Sequence, residues 1–387
     1  MNYSFLKIQL LVWGLSCFFL PACKDMEVPA APIVIGTFYN LSGSQSGLDL
    51  PAYRGAMLAA DQLNQDGGVL GNPLFLMLRD GLSEPALLQQ QALQQFRTNP
   101  ETAACIGLSD TDMLLAAAEV TADSGRVFLT SGATSPKLPA QVPDYLFLAC
   151  FGDNVQAAAA AEFAYQYKNA RKVAVVYDSV ETYTSLLQGY FITRFKQLGG
   201  QILSLQGYNQ SDLSPVTAQL QGADLIFLAA MPDEALPAVQ LIRNAGFDLP
   251  IIGGDGFDSE STWTGQAAIS DVFYTTHAYL KADNPDPRVQ AFRTAYESAY
   301  GYEPDAFAAL GYDTVNLLAE AISNAQSVEP ADIRNALAAV QDFEGVTGKI
   351  SYSDGSRIPR KSVTIMEIQA GKLGLVMQLL PGQVPPP

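Results

Sequence analysis

The segment Ser131-Gly132-Ala133-Thr134-Ser135-Pro136 follows an apolar run over 127–130 and carries hydroxyls and a glycine but no charge. A buried strand that ends this way offers backbone N–H groups and Oγ atoms to a small anionic group; nothing in it could do covalent chemistry unaided. A plainer reading stands beside that one: a strand-to-helix turn whose Ser and Thr only cap the next helix. The neighbours bear on the choice. Three carboxylates, Asp178, Asp233 and Asp255, fall at other predicted strand ends, Asp255 within Gly254-Asp255-Gly256-Phe257. Hydroxyls and helix starts suit a carboxylate and carboxylates suit an ammonium, so the two sets together have the polarity a zwitterion needs.

Catalysis requires a nucleophile with a base, paired acids, or a metal. His277 is the sole histidine, and its expected place, on a strand at a lobe crossing, makes it a hydrogen-bonded structural residue. Four Cys and one His are too few for a thiolate metal site. The run Gly67-Gly68-Val69-Leu70-Gly71 follows a helix pattern and opens none, so it is not a phosphate cradle. The expectation is a protein that is not an enzyme, with no cofactor and no metal.

The elements that must position these residues alternate in type. In the first half, strands are predicted over 33–39, 74–78, 103–107, 127–130 and 146–150, with helices over 53–66, 84–97 and 113–123. The rhythm repeats with strands over 172–177, 201–205, 225–229, 250–253 and 272–276 and helices over 155–167, 183–198, 214–220 and 234–245. Helices over 287–300, 305–325 and 330–340 then precede strands over 349–352 and 363–368, and 381–387 is expected to be a disordered tail. This is an α/β fold with parallel layers, and 387 residues call for two lobes. In such sheets ligands bind beyond the carboxyl ends of the strands. Those ends carry Asn40 to Gly43, Leu108 to Thr111 and Ser131 to Thr134 in the first lobe, and Asp178 to Tyr183, Met231 to Asp233 and Gly254 to Phe257 in the second.

Hydrophobic residues make up 48% of the chain and charged residues 16%, a globular composition. A net charge of −17 argues against nucleic-acid and anionic-membrane surfaces, which need basic faces. Residues 1–22 form a targeting segment with Lys7 as its only charge. Its end, Leu20-Pro21-Ala22-Cys23, resembles the bacterial lipoprotein box, which implies lipidation of Cys23 and a tether over 23–32; ordinary signal-peptide cleavage is the competing reading. Cys105 and Cys150, on strands separated by a third, would lie about 9.6 Å apart, too far for a disulfide, and are expected as buried free thiols.

The run Ile33 to Gly43, Arg54-Gly55-Ala56 with Ala59-Ala60, Gly67 to Gly71, Ser131 to Pro136, Gly253-Gly254-Asp255-Gly256 and Phe343-Glu344-Gly345-Val346-Thr347-Gly348 follow one another in an order that resembles the branched-chain amino-acid-binding proteins. These are type I periplasmic solute receptors of ABC transporters. The resemblance spans 33–378 and implies two Rossmann-like lobes joined by three hinge crossings, near Phe151, Ala278 and Val346, with the ligand in the interlobe cleft. It places the N-terminal lobe at 33–151 plus 279–345 and the C-terminal lobe at 152–278 plus 346–380. Closure on a ligand requires contact with both lobes.

Position by position, the resemblance puts Thr111 on a ligand carboxylate through its side chain and N–H, and Thr134 between carboxylate and amino group. It gives the Gly132 carbonyl to the ammonium, with Ala133 in the same binding loop, pairs Asp255 with the ammonium, and sets Tyr183 in the cleft wall. Two departures follow: Met231-Pro232 replaces an aromatic wall in the second lobe, and Leu48 is the nearest match to an aromatic lid. Asp110 has two open readings, a cap for the helix beginning near Asp112 or an added negative charge that favours a cationic or amide-bearing ligand. The implied partners are a small amino-acid-like ligand and ABC permease subunits. The implied setting is the periplasm or cell envelope, with a monomer anchored through Cys23. A ligand-sensing or envelope-enzyme-regulating lipoprotein of the same fold is the alternative.

Overall fold

The computed structural model describes residues 31–209, 212–352 and 355–387. The expected leader at 1–22 and Cys23 lie outside them. Among the described residues no helix is long and apolar enough to cross a membrane.

The first lobe alternates β1 (Ile33–Tyr39), α1 (Ser46–Gln65), β2 (Leu74–Asp80), α2 (Pro85–Thr98), β3 (Ala104–Gly107), α3 (Thr111–Asp123), β4 (Phe128–Thr130), α4 (Leu138–Gln141) and β5 (Leu146–Leu148). Its strands form one parallel sheet in the order β2-β1-β3-β4-β5. The near-continuous apolar strands leave both faces buried, as a helix-covered parallel sheet requires.

The second lobe opens with α5 (Asp153–Glu162), which runs into a π-helical turn (Phe163–Tyr167). It continues through β6 (Lys172–Asp178), α6 (Thr182–Gln197), β7 (Gln201–Tyr208), β8 (Leu225–Ala229), α7 (Pro232–Asn244), β9 (Ile251–Gly253), α8 (Glu260–Trp263) and β10 (Val272–Thr276). The helix expected over 214–220 is a single 3-10 turn, Ser214–Thr217. Pro215 supports that first turn, but Gln219 turns left-handed at φ 57° and stops propagation.

Three helices, α9 (Pro287–Tyr300), α10 (Ala306–Ala325) and α11 (Pro330–Ala338), return to the first lobe, where the buried faces of α10 and α11 join its core. Helix α10 lies so close to α1 that a Cβ on Gly55 would meet the Ala308 carbonyl at 1.9 Å and one on Gly311 the Ala52 carbonyl at 1.9 Å. The hairpin β11 (Phe343–Gly345) and β12 (Gly348–Ile350) precedes β13 (Val363–Gln369) and β14 (Lys372–Leu379), which add antiparallel to β10 and complete the order β14-β13-β10-β9-β8-β6-β7. Strand β14 is absent from the sequence reading because it is an edge strand with Leu375 and Val376 exposed, so it lacks a buried alternating face.

Val346, expected at the third crossing, stays with the first lobe. Asp313 on α10 accepts from the N–H groups of Val346 and Thr347, each at 2.8 Å, and from the Thr347 hydroxyl at 2.6 Å. Phe343, Ile350, Tyr352 and Ile358 pack with the first core, so the chain passes over only between Ile358 and Val363. The tail at 381–387, expected to be disordered, lies against the second lobe: Gly382 N donates to Glu162, Gln383 accepts from Arg194, and Pro385 O accepts from Asn154 at 2.8 Å.

The crossings are tied to one another. Phe151 on the first stacks on His277 on the second, ring centroids 3.9 Å apart, and Lys361 on the third donates to Ala149 O at 3.2 Å on the first. Cys105 and Cys150 are buried free thiols, on or beside strands separated by β4.

Candidate functional site

Between the carboxyl ends of the two sheets lies a cleft of about 320 Å³, counting its open mouth. The first lobe contributes Leu48, Ser109, Asp110, Thr111, Gly132, Thr134 and Phe307; the second contributes Tyr183, Met231, Pro232, Asp255 and Gly256. Strand ends deliver most of them, and the first turns of α1 and α10 deliver Leu48 and Phe307. Of the sequence-predicted residues, Thr111, Gly132, Thr134, Tyr183, Asp255, Asp110 and Met231 all meet here. Ala133 does not line the cleft: it is fully buried, its N–H donates to the Thr130 hydroxyl at 3.2 Å and its carbonyl accepts from the Cys150 thiol. Asp178 and Asp233 also stay outside the lining, and Asp178 spends one oxygen on the Val180 N–H at 2.9 Å.

Asp255 is the centre of the second wall. Its Oδ1 accepts from Tyr183 OH at 2.7 Å and Gln156 Nε2 at 2.8 Å, and its Oδ2 pairs with His277 Nε2 at 3.0 Å. Burial alone would raise its pKa, but the hydrogen bonds from His277, Gln156 and Tyr183 hold the carboxyl below the usual range. Burial pushes His277 down, so at neutral pH a neutral imidazole donates through Nε2 to an ionised carboxylate. The adjoining backbone admits only glycine: a Cβ on Gly254 would meet Tyr183 OH at 2.4 Å, and one on Gly256 the Ala230 carbonyl at 2.4 Å. His277, read as structural, is therefore a positioning residue for Asp255.

The same amide of Gln156 donates to Asp153 Oδ1 at 2.9 Å, and Asp153 N donates to Thr134 O at 2.7 Å. Burial, and then the charge of Asp255, push Asp153 up to about 8, so it is protonated at neutral pH. Gln156 and Asp153 escaped the sequence reading because they sit on a helix start rather than a strand end. A polar Gln directly before the run of five alanines, Ala157 to Ala161, was the available signal.

The first wall is differently made. Asp110 caps α3, its Oδ1 accepting from Asp112 N at 3.0 Å and Met113 N at 2.9 Å. It also lines the cleft, so its role as a cap does not keep its carboxyl away from the ligand space. Burial raises it to about 6. The loop amides are already used: Ser131 N donates to Gly107 O, Gly132 N to Leu108 O and Ala133 N to Thr130 Oγ1. Three amides of the expected cradle are thus occupied within the protein; Thr111 and Thr134 add polar groups to the lining, while the Ser109 hydroxyl is buried. Leu48, Phe307, Met231 and Pro232 supply the apolar surface. Phe307 provides an aromatic ring that the sequence reading had sought at Leu48 and in the second lobe; it lies in the first turn of a helix, where strand-end reasoning does not look.

Residues 32–372 match the family described as periplasmic binding protein. A Leu/Ile/Val-binding protein homologue of Brucella melitensis is 25% identical over 336 residues, 84% of this chain and 87% of the relative. Among solved structures, the branched-chain amino acid transporter substrate-binding protein LivJ of Streptococcus pneumoniae, in complex with isoleucine, is 27% identical with a TM-score of 0.81, covering 90% of this chain and 100% of that one. An ABC transporter substrate-binding protein of Desulfitobacterium hafniense in complex with Leu is 26% identical with a TM-score of 0.74, covering 89% and 100%. These relatives are substrate-binding proteins, not enzymes.

Proposed function

Because the chain belongs to the periplasmic binding protein family, we propose that its solute is an amino acid or a related small zwitterion or amide, captured by hinge closure and delivered to an ABC-type permease. The observation that carries the reading is Asp255, an ionised carboxylate at the cleft surface held rigid by Tyr183, Gln156 and His277. Such a group is preorganised for a ligand ammonium, since its orientation is fixed before the ligand arrives. Opposite it, Thr111 and Thr134 present hydroxyls from the other lobe, so one small ligand touches both lobes and favours the closed state. The isoleucine and leucine held by the relatives point to the same class of solute.

In this reading the chain is an extracytoplasmic monomer, anchored through a lipid on Cys23 and tethered by 23–32. Its N-terminal lobe takes 33–151 and the returning helices, and its C-terminal lobe takes 152–278 and the final strands.

A thermal-shift panel of amino acids, their amides and small carboxylates tests the proposal. An amine-bearing compound at one hundred times its dissociation constant adds about 2.7 kcal/mol and raises Tm. A panel in which no amine stabilises the protein would shift the assignment to the regulatory alternative.

A further inference from the structure

The first wall of the cleft already contains a carboxylate, Asp110, next to Thr111, the residue expected to hold a ligand carboxylate. Asp110 Oδ1 takes the Asp112 and Met113 amides at the start of α3, and the amides of Ser131, Gly132 and Ala133 are bonded within the protein. A helix N-terminus attracts anions only through such unsatisfied N–H groups. Here two of those groups, the Asp112 and Met113 amides, are spent on the protein's own side chain. Asp110 is 5% exposed, so its charge is fixed in place against the cleft rather than free to swing into solvent.

The rest of the lining does not compensate. Among the described residues, two acids and neither Lys nor Arg line the cleft. Glu181, at the entrance to α6 in the other lobe, feels Asp110, Asp178 and Asp112 strongly enough that, after burial, these like charges help lift it to about 7. The field across the cleft is therefore negative from both lobes. A ligand carboxylate beside Asp110 would meet a like charge with no cation in the lining to offset it, and the hydroxyls there accept as readily as they donate.

We propose that the ligand end facing Asp110 is a nitrogen donor, so that the cleft takes a small amine of net positive charge: an ammonium toward Asp255, and a carboxamide or a second ammonium toward Asp110. This rests on the reading that the cleft captures a small amine and specifies which kind. Asp110 is then the residue that selects against free α-carboxylates, with Thr111 and Thr134 accepting the remaining N–H bonds.

Titration calorimetry of wild type and Asp110→Asn with L-leucine, L-leucinamide and cadaverine tests it. Asn caps a helix as well as Asp does, so the variant removes the charge and leaves the fold, as circular dichroism would verify. Wild type is expected to bind leucinamide or cadaverine at least about tenfold tighter than leucine, and Asp110→Asn to weaken that compound by about tenfold or more while strengthening leucine. Whichever of the two binds names the donor, amide or ammonium. Tighter binding of leucine to wild type, with no change in preference in the variant, overturns the assignment and leaves the amino-acid reading standing. If none of the three, and no other amine in the thermal-shift panel, binds to either protein, both fall.

Discussion

The two walls of the cleft handle their carboxylates in opposite ways. On the second lobe, Asp255 is surrounded by donors and stays ionised, its charge presented to the cleft. On the first lobe, Asp110 is turned onto a helix start and raised to about 6, and behind it Asp49, bonded by Asn40, is raised to about 7 by burial. One wall holds a charge with side-chain donors; the other uses the Ser131, Gly132, Ala133, Asp112 and Met113 amides within itself. In the proposed reading, this difference puts recognition in Asp255 and selectivity in Asp110.

The largest expected effect comes from emptying the donor-rich wall. Asp255→Ala leaves Tyr183, Gln156 and His277 facing a buried gap, and removing one partner of a buried charged set typically costs about 3–5 kcal/mol. A fall in Tm of many degrees in the unliganded protein is the expected reading; an unchanged Tm would mean that the donors find other partners and do not fix the carboxylate.

Next is the dependence of stability on pH. Asp49, Asp153 and Asp258 are buried, with folded values of about 7, 8 and 7 against an ordinary value near 4. A raised folded value favours the protonated form, so this contribution is complete below the unfolded value and lost as pH rises through the folded ones. Tm is expected to fall between about pH 5 and about pH 8.5, and Asp153→Asn to flatten that slope. A Tm that rises across the window would contradict the protonated state assigned to these acids.

Two smaller effects separate the walls further. Tyr183→Phe removes one hydrogen bond to an ionised group, worth about 1.5–3 kcal/mol in the ordinary case, and should weaken ligand binding more than it lowers Tm. Asp110→Ala loses the cap of α3 and costs about 1 kcal/mol by denaturation, whereas Asp110→Asn costs only a few tenths. Equal costs for the two substitutions would remove the capping role.

Much of this arrangement was legible in the residues. Apolar runs marked the strands, and 225–229, 272–276 and 287–300 were expected over the same residues that β8, β10 and α9 occupy. The rule that ligands sit beyond strand ends led to Asp110, Thr111, Thr134, Tyr183 and Asp255. What escaped was set by tertiary packing. Phe307 reaches the cleft only because α10 folds back against α1, and Gln156 reaches Asp255 across 99 positions of sequence. The closed state of the loop amides depends on Gly107 and Leu108 carbonyls in the neighbouring strand end, which periodicity does not register. Val346 was displaced from the hinge by Asp313, a buried acid on a helix whose apolar stripe gave no sign of it.

The claim that Asp255 anchors the ligand ammonium is tested most directly by calorimetry on wild type and Asp255→Asn with the amine that stabilises wild type best. The substitution keeps the shape of the wall and removes its charge. The account predicts a loss of affinity of about tenfold to one-hundredfold, the equivalent of one charge-assisted bond; equal affinities in the two proteins would contradict it.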